Sequence, residues 1–285
     1  MNTQQERAKI LTEALPYIQR YNGKIVVINC GGVSMADPEI RQAVVSDIIM
    51  LRLVGIKVVL VHGIGPEAKQ ALKDAGMELQ YKDGYPCVNK ESLDLVQQVL
   101  CGKANKDLVG TLNQVGGKAV GLCGIDGGIL SAKTISPAYG CTGEVTKVDV
   151  TLINSFLEQG CIPVIATVAQ GMDGLAQVYS VSANVAAAKL AVALGAEKLI
   201  QLTDADSLLR DPEAPENPLP VLPLSKVPAL IRSGEISQIM VHKVNCSVEA
   251  VRSGVKSATI LDGRVAHSIL IELLSDEGIG TMLIN

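Results

Sequence analysis

The chain has 285 residues, a formal net charge of −4 and almost no aromatic side chains, with one Phe, six Tyr and no Trp. That length buries a substantial core and suits one large α/β domain or two fused ones. Scattered basic residues argue against a nucleic-acid surface, and no apolar run is long enough for a membrane span. The charged N-terminus argues against export, and the seven cysteines (30, 87, 101, 123, 141, 161 and 246) show no C-x-x-C spacing. They read as small core residues of a cytoplasmic protein, with no disulfide, no metal site and no tightly bound cofactor expected.

Residues 4 to 21 place Ile10, Leu11, Leu15 and Ile18 at helical spacing, and Pro16 is expected to bend or split that helix. Lying ahead of the first core strand, the helix reads as a lid or, preferably, an oligomerisation arm. In KIVVINCGGVSMADPE, residues 24 to 39, Ile25 to Ile28 form a buried parallel strand that runs into Cys30-Gly31-Gly32. A helix over residues 37 to 53 follows, with Ile40, Val44, Ile48 and Leu51 on one face. VVLVHGIGPEAKQAL, residues 58 to 72, repeats the strand, glycine turn and helix. Paired glycines between strand and helix let backbone N–H groups approach an anionic oxygen, so the two junctions form a phosphate cradle at the carboxyl edge of the sheet. Position 29, where a lysine would complete that cradle, is an asparagine.

Residues 81 to 90, with Gly84 and Pro86, read as a loop or short hairpin. Helices over 91–100 and 107–115 lead to a strand over 118–123, where Gly121, Gly124, Gly127 and Gly128 read as tight turns. A polar, antiparallel excursion is expected over 129–148, then a helix over 150–159 and a strand over 162–168. An alanine-rich helix over 183–195 ends at Gly195, and the strand over 197–203 ends in Thr203-Asp204, a place for an acid to meet a nucleotide or a bound cation. Residues 211 to 228 hold six prolines and read as an exposed connection without regular structure. Helices over 226–233 and 240–253, a strand over 257–260 and a C-terminal helix, glycine loop and strand complete the chain. Six or more strands alternating with helices predict a three-layer α/β/α sandwich around a mainly parallel open sheet.

The series GKIVVINCGG, VVLVHGIGP, GGKAVGL, INSFLEQGCIPVI, LGAEKLIQLTD, IMVHKVN and DGRVAHSILIELLSDEGIGTM resembles the N-acetylglutamate kinases, members of the amino-acid-kinase family, over nearly the whole chain. The resemblance implies the amino-acid-kinase fold. It also implies transfer of the γ-phosphoryl group of MgATP to the side-chain carboxylate of N-acetyl-L-glutamate in arginine synthesis. By the same resemblance residues 1–22 are an oligomerisation helix, 23–195 the amino-acid lobe and 196–285 the nucleotide lobe.

Carried over residue by residue, the catalytic set departs from that family. Asn29 stands where the family's K-Y-G-G has its lysine, and the cradle positions are Gly31, Gly32, Gly63 and Ile64, the last replacing a glycine of H-G-G-G-P. The family's G-L-R-V-T-D becomes Gly84-Tyr85-Pro86-Cys87-Val88-Asn89, so Pro86 replaces the arginine that clamps a substrate carboxylate. N-x-N-A-D becomes Ser180-Val181-Ser182-Ala183-Asn184, which puts Ser182 at a substrate asparagine and Asn184 at the aspartate that orients the lysines. Lys243 of the G-G-M-x-x-K motif remains, as do Thr203 and Asp204 of the nucleotide half.

Phosphoryl transfer rests on positive charge and oriented donors around three equatorial oxygens. Losing one such stabiliser costs on the order of 100- to 1,000-fold in rate. Asn29 carries no charge, Pro86 cannot form a bidentate clamp, and Asn184 can bond a lysine without offsetting its charge. The expectation is a dead or very weak kinase.

Arginine-inhibited members of the family carry an extra N-terminal helix that interlaces dimers into a hexamer, with the effector bound between it and the C-terminal loop. Residues 4 to 21 resemble that helix, and Tyr17, His267, Ser268, Glu272 and Gly278 match the effector pattern. The resemblance thus implies a homo-oligomer (dimer or hexamer) or an assembly with an active paralogue, and L-arginine as effector, its guanidinium held by Glu272 and loop carbonyls. The alternative reading is an active acetylglutamate kinase, or a kinase redirected to another small carboxylate.

Overall fold

The computed structural model describes residues 9, 11–31, 37–204, 219–276 and 278–285. In chain order these form α1 (Leu15–Tyr21), β1 (Ile25–Asn29), α2 (Pro38–Leu53), β2 (Lys57–His62), α3 (Pro66–Asp74), β3 (Gln80–Lys82), β4 (Tyr85–Cys87), α4 (Lys90–Gln97), α5 (Asn105–Gln114) and β5 (Ala119–Cys123). There follow β6 (Leu130–Thr134), β7 (Thr142–Val148), α6 (Thr151–Glu158), β8 (Ile162–Ala166), β9 (Val168–Gly171), β10 (Val178–Val181), α7 (Ala183–Ala193) and β11 (Lys198–Thr203). The last elements are β12 (Val221–Pro223), α8 (Val227–Ser233), α9 (Gln238–Arg252), β13 (Ser257–Asp262), α10 (Ser268–Leu274) and β14 (Thr281–Ile284).

Eight strands make one sheet in the order β12-β14-β13-β11-β1-β2-β8-β5. All pairings are parallel except β13 with β14. The period of two in each strand sends alternate residues to opposite layers. Val26 and Ile28 of β1 join Val58, Leu60, Val164 and Ile200 on one face, packed against Val44, Ile48 and Leu51 of α2, Leu112 of α5 and Ile269 and Leu273 of α10. Val27 joins Val59, Val61, Ile165, Leu199 and Ile260 on the other, beneath Ile153 of α6, the alanines of α7 and Val244 and Val251 of α9. Each fully buried Val, Leu or Ile contributes about 1.5–3 kcal/mol, so branched aliphatics replace the missing aromatics by number. The fold is therefore the three-layer α/β/α sandwich that the alternation predicts.

Helix α2 starts where its sequence says it should: Asp37 accepts the amides of Glu39 (2.8 Å) and Ile40 (3.2 Å), with Pro38 in the first turn. The N-terminal helix is interrupted at Ala14, just before Pro16, as that proline predicts. Residues 1–8 and 10, also assigned to it, lie outside the described residues. α1 packs on α10 and buries Tyr21.

Four expectations need correction. The segment read as an irregular proline-rich connection contains β12, whose Leu222 is fully buried and which pairs with β14 through Val221↔Met282, while residues 211–218 lie outside the described residues. Proline is tolerated there because β12 is an edge strand. The two helices over 91–115 are one run, joined by a π-helical stretch Gln98–Ala104. The strand over 162–168 is two strands broken at Thr167, because β9 leaves the sheet. It joins the excursion over 129–148, which is antiparallel as expected (β6 with β7) but closes with β9 and β10 into a four-stranded barrel. Gly127 and Gly128 do make a tight turn, whereas Gly121 lies inside β5 and accommodates Asn105 and Lys106.

Candidate functional site

The carboxyl ends of β1, β2 and β11 and the first turns of α7 and α9 surround a cavity of about 500 Å³. Its wall includes Asn29, Gly31, Gly63, Ile64, Pro86, Ser182, Asn184, Thr203, Asp204 and Lys243. Ten positions drawn from six separate segments thus meet at one place. Gly32, the remaining cradle position, lies outside the described residues.

Asn29 ends β1 with 4% of its surface exposed. Its Nδ2 donates to Asn184 Oδ1 (2.9 Å) and to Gln201 Oε1 (2.6 Å), Gln201 being its in-register neighbour on β11. Asn184, which the resemblance sets at the aspartate that orients the lysines, accepts from Asn29, and the cluster is three neutral amides. Gln201, buried and with Nε2 unpartnered among the described residues, was not singled out from sequence. A lone glutamine in an apolar strand is the signal that could have found it.

Lys243, on the second turn of α9, donates to the carbonyl oxygen of Leu202. Burial pulls its ammonium down to about 8, against the opposing charge of Asp204. The ordinary lysine value is 10.5, so between pH 8 and 10.5 the unfolded chain binds more protons than the folded one. The cost of holding this charge is therefore fully present below pH 8 and is relieved as pH rises to 10.5. It amounts to about 3 kcal/mol at neutral pH. Lys243→Met is expected to be more stable than the native chain at pH 7 and to lose that advantage by pH 10.5, measured by urea denaturation at both values. A variant less stable at pH 7 would refute the assignment.

The glycine turns hold the cavity open in different ways. A Cβ on Gly63 would stand 2.8 Å from the Ala183 Cβ, so the glycine lets β2 approach the first turn of α7. Ile64 lines the cavity while packing against the Leu72 cluster, and Ile239, also on the wall, is 87% exposed. Neither isoleucine fills the space. Behind the turn, Asn105 Nδ2 lies 3.1 Å from His62 Nε2 and reaches the Val164 carbonyl at 3.0 Å. Burial pushes the His62 imidazole down to about 4, so the ring is neutral.

On the hairpin side, buried Pro86 offers no cation; its carbonyl accepts the Thr142 hydroxyl. Ser182 Oγ lies 2.9 Å from His242 Nε2, and the His242 ring lies 4.3 Å from that of Tyr85, centroid to centroid. Lys69, which also lines the cavity, has its Nζ 5.5 Å from the Tyr81 ring centroid. Asp204 is the carboxylate of the wall. No group of three or more His, Cys, Asp or Glu side chains is placed to hold a metal ion among the described residues, and no described helix is long and apolar enough to cross a membrane.

The effector positions lie elsewhere, around α10. Tyr17 donates to Asp276 Oδ1, tying α1 to the segment after α10. Gly278 passes over Glu272, where an added Cβ would stand 3.4 Å from Glu272 Oε2. His267, in the left-handed conformation (φ 60°), turns its Nδ1 to within 2.6 Å of Asp47 Oδ1, and Ser268 is buried. Glu272 Oε1 is already engaged by Lys198 Nζ (2.7 Å) and Thr259 Oγ1 (2.9 Å), so a guanidinium would meet a carboxylate that has a cation.

The amino acid kinase family profile matches residues 24–262, and the chain belongs to that family. Among its relatives are an acetylglutamate kinase of Clostridium beijerinckii, 45% identical over 98% of both chains, and one of Synechocystis, 44% identical over 98% of this chain and 93% of the relative. An N-acetylglutamate synthase from Neisseria gonorrhoeae, solved with coenzyme A and N-acetyl-glutamate, superimposes with a TM-score of 0.84 at 25% identity. That match covers 98% of this chain and 63% of the synthase. A carbamate kinase from Giardia lamblia bound to AMP-PNP shares the fold, with a TM-score of 0.65 over 92% of this chain.

Proposed function

We propose that this chain is a non-transferring homologue of the acetylglutamate kinases, which binds a nucleotide weakly or unproductively and acts as an arginine-responsive assembly subunit. The observation that carries the reading is the neutral Asn29–Asn184 contact of 2.9 Å, where the resemblance places a lysine and an aspartate. An amide pair offers no positive charge to a transferring phosphoryl group. Residues 23–195 would form the lobe facing the amino acid and 196–285 the lobe facing ATP, with Thr203, Asp204 and Lys243 beside the nucleotide. Magnesium would arrive on the phosphates of ATP. The oligomer is a homodimer or hexamer, or includes an active paralogue in the cytoplasm, built through residues 1–22. L-Arginine would bind beside Tyr17, His267, Ser268, Glu272 and Gly278.

The test is ATP turnover with N-acetyl-L-glutamate and magnesium beside a Lys243→Ala control, with arginine binding measured on the same protein. Equal rates in the two proteins, with arginine bound, are expected. Turnover above the control would establish a working kinase. One observation favours that second reading in a redirected form: the cavity remains open, with Lys243 and the Gly63 turn still on its wall.

A further inference from the structure

Helix α7 begins directly after β10, at Ser182. A serine at that position ordinarily caps the helix by accepting an amide hydrogen of the second or third residue. Ser182 does not: its hydroxyl makes no capping bond and is held 2.9 Å from His242 Nε2. Ala183 and Asn184, whose first-turn amides have no intrahelical acceptor, line the same cavity as Ser182. The arrangement is strand, serine, helix N-terminus, with a histidine supplied by a neighbouring helix.

The imidazole is fixed from two sides. Tyr85 stacks on it at a tilt of 55°, and Gly84 (φ +80°) leaves it room, since a Cβ there would approach the His242 Cβ to 2.5 Å. Burial, followed by the charge of Lys243, lowers the His242 pKa below the ordinary 6.5. The neutral ring therefore has a nitrogen that can accept a proton at pH 7. Cys246 Sγ stands 4.0 Å from the same nitrogen, a longer contact than that of the hydroxyl.

We propose that Ser182 and His242 form a nucleophile–base pair that hydrolyses a small activated acyl ester or thioester through an acyl-serine. The separation is the one such a pair requires, and Ser182 lines the cavity. Ser182 Oγ bonds to the carbonyl carbon as its proton passes to His242 Nε2, and the first-turn amides of Ala183 and Asn184 receive the developing oxyanion. The carbon–oxygen or carbon–sulfur bond of the ester then breaks, and the leaving alcohol or thiol takes the proton from His242. Water adds to the acyl-serine while His242 accepts a proton from it. Departure of Ser182 Oγ, which recovers that proton, releases the carboxylic acid. No oxidant, reductant or metal enters.

The experiment is treatment of the full-length protein with a fluorophosphonate probe, followed by intact mass measurement and peptide mapping. One adduct is expected, on Ser182, forming faster as pH rises through a midpoint below 6.5. Ser182→Ala should abolish it, and His242→Gln should slow it at least about 100-fold without changing the circular dichroism spectrum. Acetate release from p-nitrophenyl acetate should follow the same pattern. Mapping on the native chain needs no variant to fold. Absence of an adduct, an adduct on another residue, or an unchanged rate in His242→Gln would each overturn the proposal, whatever ATP turnover shows.

Discussion

Asn29→Lys alone is expected to destabilise the protein by about 3 kcal/mol, and adding Asn184→Asp to recover most of that loss. The position is buried, and its Nδ2 sits between the side-chain oxygens of Asn184 and Gln201. Those dipoles solvate an amide hydrogen well but leave an ammonium without a counter-charge, and an uncompensated buried charge is among the most destabilising changes a core can suffer. A carboxylate at position 184 supplies the missing partner at hydrogen-bonding distance. The double variant should therefore be more stable than the sum of its single changes predicts, by urea denaturation at pH 7. It should also gain on the order of 100-fold in ATP turnover over the native chain, because one charged stabiliser typically carries that much. Strictly additive stabilities would show that positions 29 and 184 do not act as a pair.

The second large effect belongs to Lys198 and Glu272. Their side chains are 3% and 5% exposed and bonded at 2.7 Å, with Thr259 donating to the same carboxylate oxygen. Removing one partner leaves the other charged and buried, so Lys198→Met and Glu272→Gln should each cost about 3–5 kcal/mol. The double variant Lys198→Met/Glu272→Gln removes both charges and should regain at least half of the summed loss. Thermal melts of the four proteins complete the cycle. Single variants within 1 kcal/mol of the native chain, on the order expected for exposed pairs, would show that the ion pair is hydrated.

The sheet was legible because parallel strands buried on both faces are written as apolar runs: residues 25–28, 58–61 and 162–166 carry no other reading. The cavity was legible in outline, because glycine turns at strand ends and the family pattern both mark the carboxyl edge. The polar partnerships were not. Asn29 meets Asn184 across 155 positions of chain and His267 meets Asp47 across 220, separations over which no local periodicity carries information. Lys198 and Gln201 break an otherwise apolar strand, which is a signal, but their partners Glu272 and Asn29 are fixed by packing alone. The barrel escaped for a related reason: closure depends on the register of β9 with β6 and β10, and short polar strands specify register weakly. β12 escaped because three prolines around one buried leucine mask an edge strand.

The place of β1 in the sheet has a consequence for how the molecule is made. Its five residues take one edge from β2, close by in the chain, and the other from β11, which begins only at Lys198. At a synthesis rate of about 5–20 residues per second, the second edge arrives on the order of 10 s or more after the first. Until then the nascent chain presents an unzipped, largely aliphatic strand, which is a template for pairing with another nascent chain on the same message. Chaperones that hold exposed apolar segments would be needed most in this interval. Slowing translation downstream of residue 62 should lower the soluble yield, while speeding it as far as residue 203 should raise it.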